Sequence, residues 1–147
     1  MKLGYDDIAF LDDDPDNALS HPVIGTTRDI RKYRDSYENA IVALGNNQIR
    51  IKYHAILEET GYNIPILIHP TAYVSPDAKL APGCIIRTFA VVGCYAELGK
   101  AVILNIGAKV DHHCVIGEGS HLLINSVVRA SKKVEPLTWL DSCQVIK

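Results

Sequence analysis

What this 147-residue chain lacks narrows it first. It has no apolar run of the roughly 18 residues that a membrane-spanning helix needs, so no membrane insertion is expected. The start, Met1-Lys2-Leu3-Gly4-Tyr5-Asp6-Asp7, has none of the apolar stretch of a secretory leader, and cytoplasm is the expected location. Charge excess is missing too. Fifteen Lys and Arg against 17 Asp and Glu leave −2, which does not favour bulk binding to nucleic acid or to an acidic membrane surface. The four cysteines include no Cys-x-x-Cys pair, which argues against a disulfide framework or a zinc knuckle, and no metal is expected.

What is present is a period. From Ile68 every sixth residue is aliphatic: Ile68, Val74, Leu80, Ile86, Val92, Leu98, Leu104, Val110, Ile116, Leu122, Val128, Val134, Leu140, Ile146. Two residues earlier the side chain is small through most of the run: Ala72, Ala78, Cys84, Ala90, Ala96, Ala108, Cys114, Ser120, Ser126, with Val102 the one larger member. This is the hexapeptide signature of a parallel β-helix. Inward and outward positions alternate along each short strand. Three strands and three corners close a triangular coil, so aliphatics stack in columns such as Ile86, Leu104, Leu122, Leu140. Lys132, Lys133, Glu135-Pro136, Thr138 and Gln144 dilute the repeat beyond Val128.

The outward positions define three faces. Face one carries Tyr73, Val91, Lys109 and Val127. Face two carries Lys79, Glu97, Val115 and Lys133. Face three carries Ile85, Ile103, His121 and Trp139. Two largely apolar outer faces exceed what a soluble monomer exposes. A closed homotrimer with face one of each chain on face three of the next would bury both. It would also set His112 and a neighbour's His121 on opposite walls of a groove.

Residues 1–65 follow another rhythm: strand Ile8–Leu11, helix capped by Thr27 with Ile30, Tyr33 and Tyr37 on one face, strand Ile41–Leu44, helix Gln48–Thr60 with Ile49, Tyr53, Ile56 and Leu57 inward, and strand Ile64–Ile68. The expected fold is a small N-terminal parallel α/β unit, Rossmann-like, followed by a parallel β-helix over 66–147 whose hexapeptide repeat resembles that of the left-handed class. Asp12-Asp13-Asp14 and Gly45-Asn46-Asn47 are strand-end loops, where such sheets commonly bind ligands, although these residues are also ordinary turn formers. The Asp12, Asp14, Asp16 spacing imitates a calcium loop but lacks its glycine and its glutamate.

Chemistry concentrates at one corner, Asp111-His112-His113-Cys114. A histidine general base needs only a reachable imidazole, and three of the six histidines fall between 112 and 121.

The stretch from Ile103 to Gly117, containing Asn105-Ile106-Gly107 and Asp111-His112-His113, is similar to the active-site stretch of left-handed β-helix sugar acyltransferases. The nearest group is the sialic acid O-acetyltransferases and bacterial UDP-amino-sugar N-acetyltransferases. Phe10-Leu11-Asp12-Asp13, Leu44-Gly45-Asn46 and Ile68-His69-Pro70-Thr71-Ala72-Tyr73-Val74-Ser75 resemble the same family, in the same order. The resemblance implies a homotrimer that transfers acetyl from acetyl-CoA to an amino or hydroxyl group of a sugar or nucleotide-sugar, for surface glycan biosynthesis. It implies His112 as base with His113 and Asn105 beside it in the catalytic set, and His121 and a backbone N–H near Ala130 toward CoA. Asp12, Asp13, Gly45 and Asn46 would lie toward the sugar. Where the family has an acidic residue after its catalytic histidine, this chain has His113. The family's N-terminal strand, Gly-rich loop and further C-terminal coils have no counterpart here.

Other readings start from the same residues. Trimeric β-helices include zinc carbonic anhydrases, but the spacing between His112 or His113 and His121 does not match theirs. Asp-His-His-Cys is also the letter pattern of membrane palmitoyltransferases, without their apolar segments here. A non-catalytic trimer that binds a nucleotide or protein partner is the alternative to an acetyltransferase.

Overall fold

The computed structural model describes residues 4–14 and 21–147. From Leu67–Ile68 to Val145–Ile146 it is a succession of two-residue strands six residues apart. They stack in three parallel sheets. Lys109 pairs with Val91 and Val127, Val115 with Glu97 and Lys133, and His121 with Ile103 and Trp139. These are the three expected faces in the expected register. The strands continue through Lys133–Val134, Trp139–Leu140 and Val145–Ile146 despite the diluted repeat.

The inward columns form one core, from Cys84 and Ile86 to Val134 and Leu140. Small inward residues sit next to the corners, where the backbone of the adjacent coil lies close. Their polar atoms are satisfied there: Ser120 Oγ donates to Glu135 O at 3.1 Å, and Cys114 Sγ to Arg129 O at 3.1 Å. Burial pushes the Cys84 thiol up to about 11, which keeps it an inert core side chain. The corners carry a second period. Gly83, Phe89, Tyr95, Ala101, Gly107, His113, Gly119, Asn125, Ser131, Leu137 and Cys143 all have positive φ. From Gly83 onward every corner carries a left-handed residue, whatever its side chain.

The N-terminal unit differs from its sequence reading. Strand β1 (Phe10–Leu11) pairs in parallel with β2 (Val23–Gly25), which the hydrophobic pattern did not reveal. Ile41–Leu44 is not a strand, because the carbonyls of Leu44 and Gly45 accept from Arg50 Nη1 at 2.8 and 2.9 Å instead of pairing with a neighbour. Ile64–Ile68 contributes only Leu67–Ile68 as a strand, and that strand joins Ile85–Ile86 in the β-helix. The helix expected after Thr27 is a 3-10 helix, Thr27–Tyr33, with Thr26 at its N-cap. The Asp29 carboxylate accepts from Thr26 N at 2.9 Å, while Thr27 is held by Asp13. Pro15 and Asp16 lie outside the described residues, as do Met1, Lys2 and Leu3.

The long helix α1 is Asn47–Thr60, capped by Asn46 Oδ1 accepting from Ile49 N at 3.0 Å and closed by Gly61 at φ 82°. Its buried side is the expected one only in part, at Leu57. Asn47, Arg50, His54 and Leu57 are buried, and Ile49 is 45% exposed. Tyr53 and Ile56 pack partly against a second cluster of Ile30, Leu57, Tyr62 and Ile64. The polar stripe instead meets the corner column Gly83, Ala101, Gly119, Leu137. A Cβ on Gly119 would stand 2.5 Å from Ile51 Cγ1, and one on Gly83 2.7 Å from the His54 ring. Arg50 Nε donates to Ala101 O at 2.9 Å and Asn47 Nδ2 to Leu137 O at 3.0 Å.

His54 makes this contact pH-sensitive. Desolvation, opposed by the charge of Glu58 and assisted by Lys100, holds it below the ordinary histidine value of 6.5; Glu118 also faces it and opposes the shift. A base with a depressed value contributes stability above its unfolded value and loses it as pH falls through the folded one. Unfolding free energy should therefore decline as pH drops below about 6.5, with a shallower decline in His54→Gln, measured by urea titration across pH 5–8. Identical slopes in both proteins would exclude His54 as the source.

Candidate functional site

The chemistry-bearing corner follows face one. His112 and His113 are exposed and their Nδ1 atoms lie 3.0 Å apart, with the ring planes perpendicular. His113 adopts φ 57°, its N–H donates to Cys94 O at 3.0 Å, and its ring lies against Tyr95, one coil below, at 5.0 Å between centroids. The His112 backbone is fixed separately. Its N–H donates to Asp111 Oδ1 at 2.7 Å and its carbonyl accepts from Ser131 N at 2.9 Å. Gly93 lies beneath it, where a Cβ would stand 2.8 Å from His112 N. The base candidate thus sits on backbone that only glycine allows so close, with its ring free on the solvent side.

Asn105 occupies the other corner of face one. Its Oδ1 accepts from Arg87 Nη1 at 2.9 Å, a partner one coil below, and from Ile106 N at 2.8 Å. His121 is elsewhere. It lies on face three, buried, with Nδ1 3.4 Å from Gly45 O and its ring edge-on to Trp139 at 4.9 Å. Its Nε2 is buried without a hydrogen-bond partner among the described residues. Desolvation, partly offset by the Gly45 carbonyl, holds it below 6.5, so the ring is neutral at neutral pH. Ala130 sits at the corner one coil above His112, between Arg129, whose N–H bonds Ile146 O, and Ser131, whose N–H bonds His112 O.

In one chain, then, His112 and His113 meet, as do Gly45 and His121, while Asn105, His112 and His121 stand on different parts of the prism. This corrects the expectation for face three. Ile103 and His121 are already buried within the single chain, His121 against Gly45 O, and Trp139 remains half exposed. Face one stays open, with Tyr73 at 58% and Val145 at 46% exposure. Surface depressions of about 240 Å³ beside His69 and Arg87 and about 490 Å³ across face two include neither His112 nor Asn105.

The N-terminal candidates are engaged locally. Asp13 accepts from Thr27 N and Oγ1, each at 2.9 Å, and Thr27 Oγ1 lies 2.8 Å from Tyr53 OH on α1. Asp12 Oδ1 accepts from Asp14 N at 2.9 Å. Asn46 caps α1, and Gly45 O lies between Arg50 and His121. Sequence reading missed Arg50 and the Tyr95–His113 stack. The second had a signal, since residues 18 apart share a corner column.

Residues 1–57 match the family described as PglD N-terminal domain. Along 97% of its length the chain is similar to the acetyltransferase domain of PglB from Neisseria gonorrhoeae FA1090 in complex with acetyl coenzyme A, at 32% identity and a TM-score of 0.81, covering 79% of that chain. A further structure of that domain gives 30% identity and a TM-score of 0.83, covering 97% of this chain and 80% of that one. PerB from Caulobacter crescentus, in complex with CoA and GDP-perosamine, is 25% identical with a TM-score of 0.82, over 95% of this chain and 76% of that one.

Proposed function

The chain belongs to the left-handed β-helix family of sugar acetyltransferases, and we propose that it moves the acetyl group of acetyl-CoA onto an amino group of a nucleotide-linked sugar, with His112 as general base. The observation that carries this reading is the exposed imidazole of His112 on a rigid corner, in a chain similar almost end to end to a domain solved with acetyl-CoA. PerB's complex with GDP-perosamine supports a nucleotide amino sugar as acceptor.

The step needs one base and good placement. The acceptor nitrogen's lone pair forms the bond to the thioester carbon, and its N–H proton passes to His112 Nε2. The C–S bond breaks with its electron pair on sulfur, which takes the proton from His112 and leaves as CoA thiol. No covalent enzyme intermediate is required.

Because Asn105, His112 and His121 do not converge in one chain, we assign the site to the groove between copies of a homotrimer. Asn105 and His121 would come from the copy next to the one supplying His112. The Ala130 N–H, one coil above His112, would face acetyl-CoA. Residues 1–65 would be the sugar-nucleotide unit, with Asp12, Asp13, Gly45 and Asn46 on the sugar side, and residues 66–147 the acyltransferase β-helix. No three His, Cys, Asp or Glu side chains among the described residues gather as a metal site, and no helix there is long and apolar enough to cross a membrane.

The test is release of CoA thiol from acetyl-CoA with a panel of nucleotide amino sugars and sialic acid, beside light scattering. Turnover with at least one nucleotide amino sugar and a mass of three chains is expected. No turnover and no CoA binding would favour a non-catalytic trimer, and a monomer at micromolar concentration would remove the shared groove.

A further inference from the structure

We propose that His113 is a positioning residue that sets the tautomer of His112. The inference rests on His112 being the base. It starts from the 3.0 Å separation of the two Nδ1 atoms. Two bare nitrogens at that distance repel and two N–H groups clash, so one proton lies between them. If His113 supplied it, His112 would carry its own hydrogen on Nε2 and have no lone pair for the acceptor. If His112 supplies it, Nε2 presents the lone pair and His113 Nδ1 is the hydrogen-bond acceptor. Only the second arrangement makes a base.

The neighbours favour His113 for this task. Asp111, the nearest carboxylate in sequence, is turned to the His112 backbone N–H at 2.7 Å. His113 is fixed from the coil below by its N–H on Cys94 O at 3.0 Å and by its ring on Tyr95. Its left-handed φ of 57° directs the backbone so that the ring stands beside His112. When His112 takes a proton on Nε2, the cation keeps its Nδ1–H on a neutral acceptor. That orients the ring and spreads the charge without adding any of its own, as groups behind metal-bound or catalytic imidazoles do.

Two variants separate this role from packing. His113→Asn keeps an acceptor near Nδ1 and suits positive φ. His113→Phe keeps a ring for Tyr95, at a φ that Phe89 adopts elsewhere in this chain, and removes the acceptor. Long-range proton–nitrogen spectra of the full-length protein should show His112 as the Nδ1–H form in the native protein and in His113→Asn. In His113→Phe it should shift to the Nε2–H form that a free imidazole prefers. In the acetyl-transfer assay kcat should stay within about threefold for Asn and fall about 10- to 100-fold for Phe, with the KM for acetyl-CoA unchanged. The same His112 tautomer in native and Phe proteins would overturn the proposal, and so would an Asn variant as slow as Phe. Normal transfer by His113→Phe would defeat the positioning role and leave His112 as base. A His113-dependent tautomer without transfer to any sugar would do the reverse.

Discussion

Replacing His112 by alanine is expected to lower kcat for acetyl transfer by about 10²- to 10⁴-fold, the range a positioned general base contributes, with little change in melting temperature. Among the described residues the ring makes its polar contact with His113 alone, while the backbone at this corner is held by Asp111 Oδ1, Ser131 N and the close approach of Gly93. Removing the imidazole therefore removes chemistry and leaves the coil. The KM for acetyl-CoA should change by less than about threefold, because a base that acts on the acceptor's proton works in the transition state and not in thioester binding. Steady-state kinetics beside calorimetry decide the matter. A variant that melts normally and turns over at the native rate would take His112 out of the reaction. One that melts much earlier would mean that the ring supports the fold.

The β-helix was legible in the sequence because its information is local. An aliphatic every sixth residue and alternation along each strand fix which side chains stack, down to pairs such as His121 on Trp139. The N-terminal unit was less legible because its decisive contacts are long-range. On hydrophobicity alone Ile49, Tyr53, Ile56 and Leu57 should line the inner face of α1; Leu57 does, with Tyr53 and Ile56 partly buried, yet Arg50 and His54 are buried as well and Ile49 is exposed. The partners of Arg50 are backbone at corners some fifty to seventy residues further on, which no local period records. The same holds at the site. His112 stood out where the repeat keeps its register but carries titratable side chains. That Asp111 serves the backbone, and that His113 leans on Tyr95, depends on how one coil lies on the next. The separation of Asn105 from His112 by the width of face one is also invisible to a local period, and it is the reason the proposed site is assigned to a groove that a second copy would complete.

The largest effect on stability should come from Arg50. Its guanidinium is fully buried and has no carboxylate partner among the described residues. Nε donates to Ala101 O at 2.9 Å, Nη1 to Leu44 O and Gly45 O at 2.8 and 2.9 Å, and Nη2 to Gly119 O at 2.6 Å and Asn47 Oδ1 at 2.9 Å. Burial lowers its own value to about 10, still charged at neutral pH. Two effects compete in Arg50→Met. The variant keeps the apolar stem and avoids burying a cation, which is favourable. It also strips donors from four buried or half-buried carbonyls contributed by two β-helix corners and the Leu44–Gly45 segment. Each orphaned group costs about 1–3 kcal/mol, and none of the acceptors is removed along with the donor, unlike substitutions that replace a whole buried polar cluster with apolar residues. The loss should win by about 3–5 kcal/mol. It should also be unevenly felt, because these bonds tie α1 to the β-helix. Trp139, the chain's single tryptophan, packs on His121 beside the attachment of Asn47 to Thr138 O, so its fluorescence reports that junction. In urea the Trp139 signal of Arg50→Met should change before the far-ultraviolet signal, as the N-terminal unit releases from a coil that remains folded. Coincident transitions within about 0.5 kcal/mol of the native protein, the range of an ordinary surface change, would show that Arg50 does not hold the two parts together.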